Sequence, residues 1–189
     1  TESFGTLRNV SIHDCVVAPP SARGRFDWRR EAPGVTEYLT GLCGISIMCM
    51  DGEQLENVTI RNLEMTGPMT PIFVRFDHRH EAQPDRPACL RNVLIENVRA
   101  TARSRVACAI TGVRGLRPEG IVLRNVDLTL PGGGTAADLA WARVYAVKLT
   151  LGETVLRDFV PCRETSTGAL GLYDQQNGGV YPSEGEKPF

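Results

Sequence analysis

The chain has 189 residues, a formal net charge of −1, 23% charged, 42% hydrophobic and only 6% aromatic side chains, with 19 Gly and 12 Pro. That length holds one core-bearing domain or a piece of a larger one, and the near-zero charge argues against nonspecific nucleic-acid binding. No apolar run approaches the roughly 20 residues of a membrane span, so membrane, collagenous and disordered classes are set aside.

The elements follow in chain order. The opening Thr1-Glu2-Ser3-Phe4-Gly5 has neither initiator Met nor the regions of a signal peptide, and reads as processed or truncated. A first short strand is expected at Arg8-Asn9-Val10-Ser11-Ile12-His13-Asp14-Cys15, with apolar residues at i and i+2 on one face, followed by Asp. A Pro- and Arg-rich loop covers residues 19–43, and Gly44-Ile45-Ser46-Ile47 is the next strand. The first pattern returns at Glu56-Asn57-Val58-Thr59-Ile60-Arg61-Asn62-Leu63, and Pro71-Ile72-Phe73-Val74 repeats the strand at Ile45, 27 residues on. After a second charged loop over residues 77–89 come Arg91-Asn92-Val93-Leu94-Ile95-Glu96-Asn97-Val98 and a weaker copy, Glu119-Gly120-Ile121-Val122-Leu123-Arg124-Asn125-Val126. Gly132-Gly133-Gly134 is a turn, since the Lys-Ser/Thr of a phosphate loop is missing. Two strand-like runs, residues 144–150 and 154–156, precede a tail rich in Gly, Ser, Gln and Pro.

The copies at Val10, Val58, Val93 and Ile121 are spaced by 48, 35 and 28 residues, which fits one coil of about 27 residues plus loop insertions. Three short strands per turn, stacked in parallel, make an all-β fold, a right-handed parallel β-helix. Val10, Val58, Val93 and Ile121 would form one interior stack, and Ile12, Ile60, Ile95 and Leu123 another. Asp14, Asn62, Asn97 and Asn125 would form a polar ladder at a turn, because Asn tolerates the left-handed conformation and its amide bonds to neighbours above and below. Residues 1–138 are assigned to coils and 139–189 to a divergent C-terminal coil or cap and tail. Six cysteines without a CxxC pair, in a chain with ample Val, Ile and Leu, read as free, buried thiols.

With these residues in place, the run from Gly44 through Asp51-Gly52, Leu55 to Met65 and Pro71-Ile72-Phe73-Val74-Arg75 resembles part of a known family. Together with Leu90 to Val98, Gly120 to Val126 and Pro131-Gly132-Gly133-Gly134-Thr135-Ala136, it is similar to the C-terminal half of bacterial polygalacturonase-like proteins of glycoside hydrolase family 28. The resemblance covers about residues 1–138. It implies inverting hydrolysis of pectic or related acidic polysaccharide without a cofactor, in a secreted or periplasmic setting. Two carboxylates would flank the scissile bond about 6.5–9.5 Å apart. The family's Asn-Thr-Asp, Asp-Asp and Gly-His-Gly segments are absent, and coil alignment places them upstream of Thr1, so the catalytic residues are not assigned in this chain. Where the family's Arg-Ile-Lys segment aligns, Ser46 and Met48 replace the two basic residues.

Substrate contact is expected from Arg75, Asp77, His78, Arg79 and His80, which leave the strand at Ile72 on the sheet that bears the family's cleft. Arg forks grip uronate carboxylates, and His and Asp move protons. His78 and His80 share one strand face, but no third ligand or zinc spacing accompanies them, so no metal is assigned. The insertion at residues 23–31, with a Phe, a Trp and four Arg, reads first as an ordinary packed loop, the alternative being a subsite wall that offers stacking faces. The partner is thus a polysaccharide or oligosaccharide, with neither nucleic acid nor membrane. The competing readings are a noncatalytic carbohydrate-binding β-helix and a purely structural one.

Overall fold

A computed structural model describes residues 5–18, 43–68, 70–77, 87–103, 106–131 and 137–164. Among them are ten strands and no helix. They are β1 (Thr6–Val17), β2 (Cys43–Cys49), β3 (Gln54–Thr66), β4 (Thr70–Phe76), β5 (Cys89–Thr101), β6 (Cys108–Thr111), β7 (Glu119–Thr129), β8 (Ala137–Ala140), β9 (Val144–Leu151) and β10 (Thr154–Val160). The protein is all-β, as the sequence predicts. One sheet has the order β1-β3-β5-β7-β9-β10 and the other β2-β4-β6-β8, so up to β9 successive strands alternate between the two.

Every pairing between these strands is parallel except the last, where the Gly152 turn (φ 57°) folds β10 back against β9. The register is the one the repeat predicts. Val10 faces Val58, Val58 faces Val93 and Val93 faces Ile121, while Ile12, Ile60, Ile95 and Leu123 align two residues on. Ile45 likewise pairs with Ile72 in the smaller sheet. The parallel pairing runs on past residue 138, since β8 spans that position and β9 continues the large sheet from β7.

The apolar residues of both sheets form one core cluster between them. Columns such as Leu63, Val98, Val126 and Leu149, or Met65, Ala100, Leu128 and Leu151, are buried throughout. Each such Leu, Ile or Val contributes roughly 1.5–3 kcal/mol by leaving water, enough in sum to order strands whose aromatic content is low. At β1 the columns reach the sheet edge. Ile12 is 45% exposed there, and Leu7, Val10 and Ile12 of β1 face Ile45, Ile47 and Met48 of β2 across an apolar groove of about 450 Å3.

The long strands bend twice, at residues with positive φ. The predicted ladder is present: Asp14, Asn62, Asn97 and Asn125 have φ between 50° and 58°. Each Asn Nδ2 donates to the Oδ1 of the residue one strand earlier, at 2.8, 3.1 and 2.9 Å. A second ladder runs beside it, beyond what the repeat predicts. Asn9, Asn57 and Asn92 also have φ of 57° to 59° and bond in series at 3.0 and 3.2 Å. Gly120 takes the next place, with φ 62°, where an added Cβ would stand 3.0 Å from Asn92 Oδ1. Glycine meets both demands, conformation and space.

Candidate functional site

Two surfaces of the sheets carry the polar chemistry. The first is the outer face of the smaller sheet, where sequence reasoning places substrate contact. In β4, Ile72, Val74 and Phe76 join the core between the sheets, while Phe73 packs in a separate small cluster with Met50 and Ala109. By alternation Arg75 shares the face of Phe73. Its Nη2 is ion-paired with the Asp77 carboxylate, and its Nη1 donates to Thr111 Oγ1 at 3.2 Å. Arg75 is 2% exposed, Asp77 3% and Thr111 0%. Arg75 Nε is buried without a hydrogen-bond partner.

Two of the expected contacts, Arg75 and Asp77, are thus placed in a buried ion pair. Two desolvated charges persist in a protein only when paired, and here Arg75 and Asp77 pair with each other. The other predicted contacts, His78, Arg79 and His80, lie outside the described residues, as does the insertion at 23–31. Ser46 is exposed and Met48 half-buried, in register with Phe73 and Arg75 respectively. The basic side chain in register with Met48 on the next strand, Arg75, is turned to its pair with Asp77.

The second surface is the outside of the large sheet, where in-register stacking brings charges together at steps of about 4.8 Å. Glu56 holds Arg8 at 3.0 Å and Arg91 at 2.6 Å, one on each neighbouring strand. The hydrogen bond from Arg91, then that from Arg8, keeps the Glu56 carboxyl below the usual glutamate range despite a side chain only 9% exposed. Glu96 similarly pairs with Arg124 at 2.9 Å. Asp14, the first member of the ladder, accepts from Asn62 and contacts His13 Nδ1 at 2.7 Å, and these bonds hold its carboxyl below the ordinary aspartate value.

Beyond the ladder the sheet forms an open polar groove of about 530 Å3. Its second wall is the column two residues after each ladder position: Val16, Glu64, Arg99, Asp127 and Thr150, all in register. Lys148 of β9 closes one end beside Asn125. Glu64, Arg99, Asp127 and Lys148 are exposed, and none makes a side-chain hydrogen bond or ion pair among the described residues. Glu64 and Asp127 stand two strand steps apart, about 9.6 Å along the stack. Sequence reading did not select these residues, although a signal is present. Each ladder Asn is followed two positions on by a charged residue, and period two places that residue outside when its neighbours are buried.

Among the described residues, no group of three or more His, Cys, Asp or Glu is placed to hold a metal ion. The six cysteines are free; Cys49 and Cys108 are fully buried, and the other four are half-buried. Burial pushes the Cys108 thiol up to about 12 and also raises Cys49, so neither supplies a thiolate nucleophile near neutral pH. No family model matches this chain, and no solved structure matches it.

Proposed function

We propose that the chain winds as a right-handed parallel β-helix of about 27 residues per coil and belongs to a polygalacturonase-type glycoside hydrolase. Its substrate is pectic or related acidic polysaccharide, hydrolysed with inversion. The observation that carries this reading is the unbroken parallel register of β1, β3, β5, β7 and β9, with β2, β4, β6 and β8 returning in the same order in a second sheet. Parallel strands joined by crossover connections wind right-handed in nearly all proteins. The enzyme class rests on the sequence resemblance.

In this reading the described residues are scaffold and binding surface. The hydrolytic aspartates belong to coils preceding Thr1, and the protein works outside the cytoplasm without a cofactor. A noncatalytic carbohydrate-binding protein is the second reading, favoured by Ser46 and Met48 where the family has its basic pair and by the closure of Arg75 on Asp77.

The deciding experiment incubates the protein, expressed from its complete coding sequence, with polygalacturonate and rhamnogalacturonan. Reducing ends and the anomer first released are followed by proton NMR. Inverted products support the hydrolase. Binding without turnover assigns the noncatalytic reading, and the absence of both binding and turnover removes the polysaccharide reading altogether.

A further inference from the structure

We propose that the groove beside the Asp14–Asn125 ladder is a binding site for a neutral, hydroxyl-rich oligosaccharide lying along the strand stack. The proposal rests on the reading of the chain as a carbohydrate-active or carbohydrate-binding protein and goes beyond it, adding a second face with a ligand class distinct from the acidic substrate. The face belongs to the large sheet, whereas the predicted contacts at Arg75 and Asp77 belong to the smaller one.

The first support is a contrast within one sheet. Arg8, Glu56 and Arg91 occupy one register column, alternate in sign and pair at 3.0 and 2.6 Å. Glu64, Arg99 and Asp127 occupy another column of the same sheet, one strand further along on β3, β5 and β7, and also alternate in sign. They form no ion pair and no side-chain hydrogen bond among the described residues. The strand step of about 4.8 Å is common to both columns, so spacing does not explain the difference. Charges that neutralise each other in one column are left with their full hydrogen-bonding capacity in the other, where they line a groove of about 530 Å3.

The second support is the chemistry of the lining. Carboxylates accept hydrogen bonds, Arg and Lys donate them, and each ladder amide keeps one N–H and one lone pair beyond those used in the ladder. A sugar hydroxyl is both donor and acceptor and therefore matches all three kinds of group. Asp14, Glu64 and Asp127 outnumber Arg99 and Lys148, so the groove repels a polyanion and favours an uncharged glycan. The wall is also preorganised, because the ladder bonds and parallel pairing fix the spacing before the ligand arrives. Along the stack, each strand step of about 4.8 Å presents one ladder amide, from Asn62 to Asn97 to Asn125, to a chain lying in the groove.

The test is an amide-shift titration of the 15N-labelled protein with galactotetraose, cellotetraose and tetragalacturonate, followed by calorimetry of an R99A/D127A variant. At least one neutral tetrasaccharide is expected to shift the amides of Asn97, Arg99, Asp127 and Lys148, and to bind tighter than tetragalacturonate. Loss of two charge-assisted hydrogen bonds should weaken that binding about tenfold or more in the variant, with the urea midpoint unchanged. Shifts confined to other surfaces overturn the groove but leave the carbohydrate reading standing. Tighter binding of tetragalacturonate at these amides overturns the neutral specificity. A failure of all three glycans to shift any amide overturns the groove, and a protein from the complete coding sequence that also neither binds nor cleaves pectic polymers removes the wider reading.

Discussion

Replacing Asn97 separates the two jobs of the ladder. Its side chain donates to Asn62 at 3.1 Å and accepts from Asn125 at 2.9 Å, while its backbone sits at φ 51°. N97A removes both side-chain bonds, worth about 1 kcal/mol each, and forces a residue with a Cβ to hold the left-handed conformation at a cost of roughly 1–2 kcal/mol. The expected loss is about 3–4 kcal/mol. N97G removes the same bonds without that conformational cost, but gives the unfolded chain about 0.4–1 kcal/mol of extra freedom, for a total near 2–3 kcal/mol. Urea unfolding followed by circular dichroism measures both. With a slope of about 2–3 kcal/mol per molar, the alanine midpoint should fall by more than roughly 1 M, and further than that of glycine. If both variants stay within about 0.5 kcal/mol of the parent, the ladder bonds exchange for water at no net loss and the account of the ladder is wrong. If alanine is as stable as glycine, the left-handed corner is not what selects Asn.

Two further outcomes follow from the charged pairs. R75M leaves the buried Asp77 carboxylate without its guanidinium and should cost about 3 kcal/mol or more, whereas R75M/D77L, which removes both charges, should recover most of that stability. A double variant as unstable as the single one in urea would show that the two groups are not coupled. Glu56 has a depressed folded carboxyl value because Arg91 and Arg8 bond to it, so its stabilising contribution is complete above the ordinary glutamate value of about 4.3 and is lost as pH falls through the folded value. The parent should therefore lose more stability than E56Q as the pH is lowered from 6 to about 3 in parallel urea titrations. Parallel pH slopes would refute the contribution.

The candidate sites were unequally legible. Arg75 and Asp77 stood out because charge clusters next to strands often serve ligands, but a sequence does not show whether a residue faces solvent or is covered. Here both are covered and paired. Glu64, Arg99 and Asp127 drew no notice because each is an ordinary charged residue between apolar ones, separated from the next by 35 and 28 positions. They become a group only when the strands are laid in register.

What the sequence determined by itself was local and periodic. The apolar pairs at Val58 and Ile60, Val93 and Ile95, and Ile121 and Leu123 dictate which face is buried, and Asn62, Asn97 and Asn125 mark the corners because Asn accepts positive φ. Recurrence of the pattern then sets the parallel register, since a slip by one residue would turn the whole apolar face to water. The tertiary structure decided everything that depends on distance between chain segments. It made a second ladder of Asn9, Asn57 and Asn92, closed Arg75 on Asp77, paired Glu56 with two arginines and left Glu64, Arg99 and Asp127 unpaired among the described residues, in a groove. Whether a charge is neutralised, buried or available to a ligand depends on side-chain geometry across strands, which periodicity along one strand does not contain.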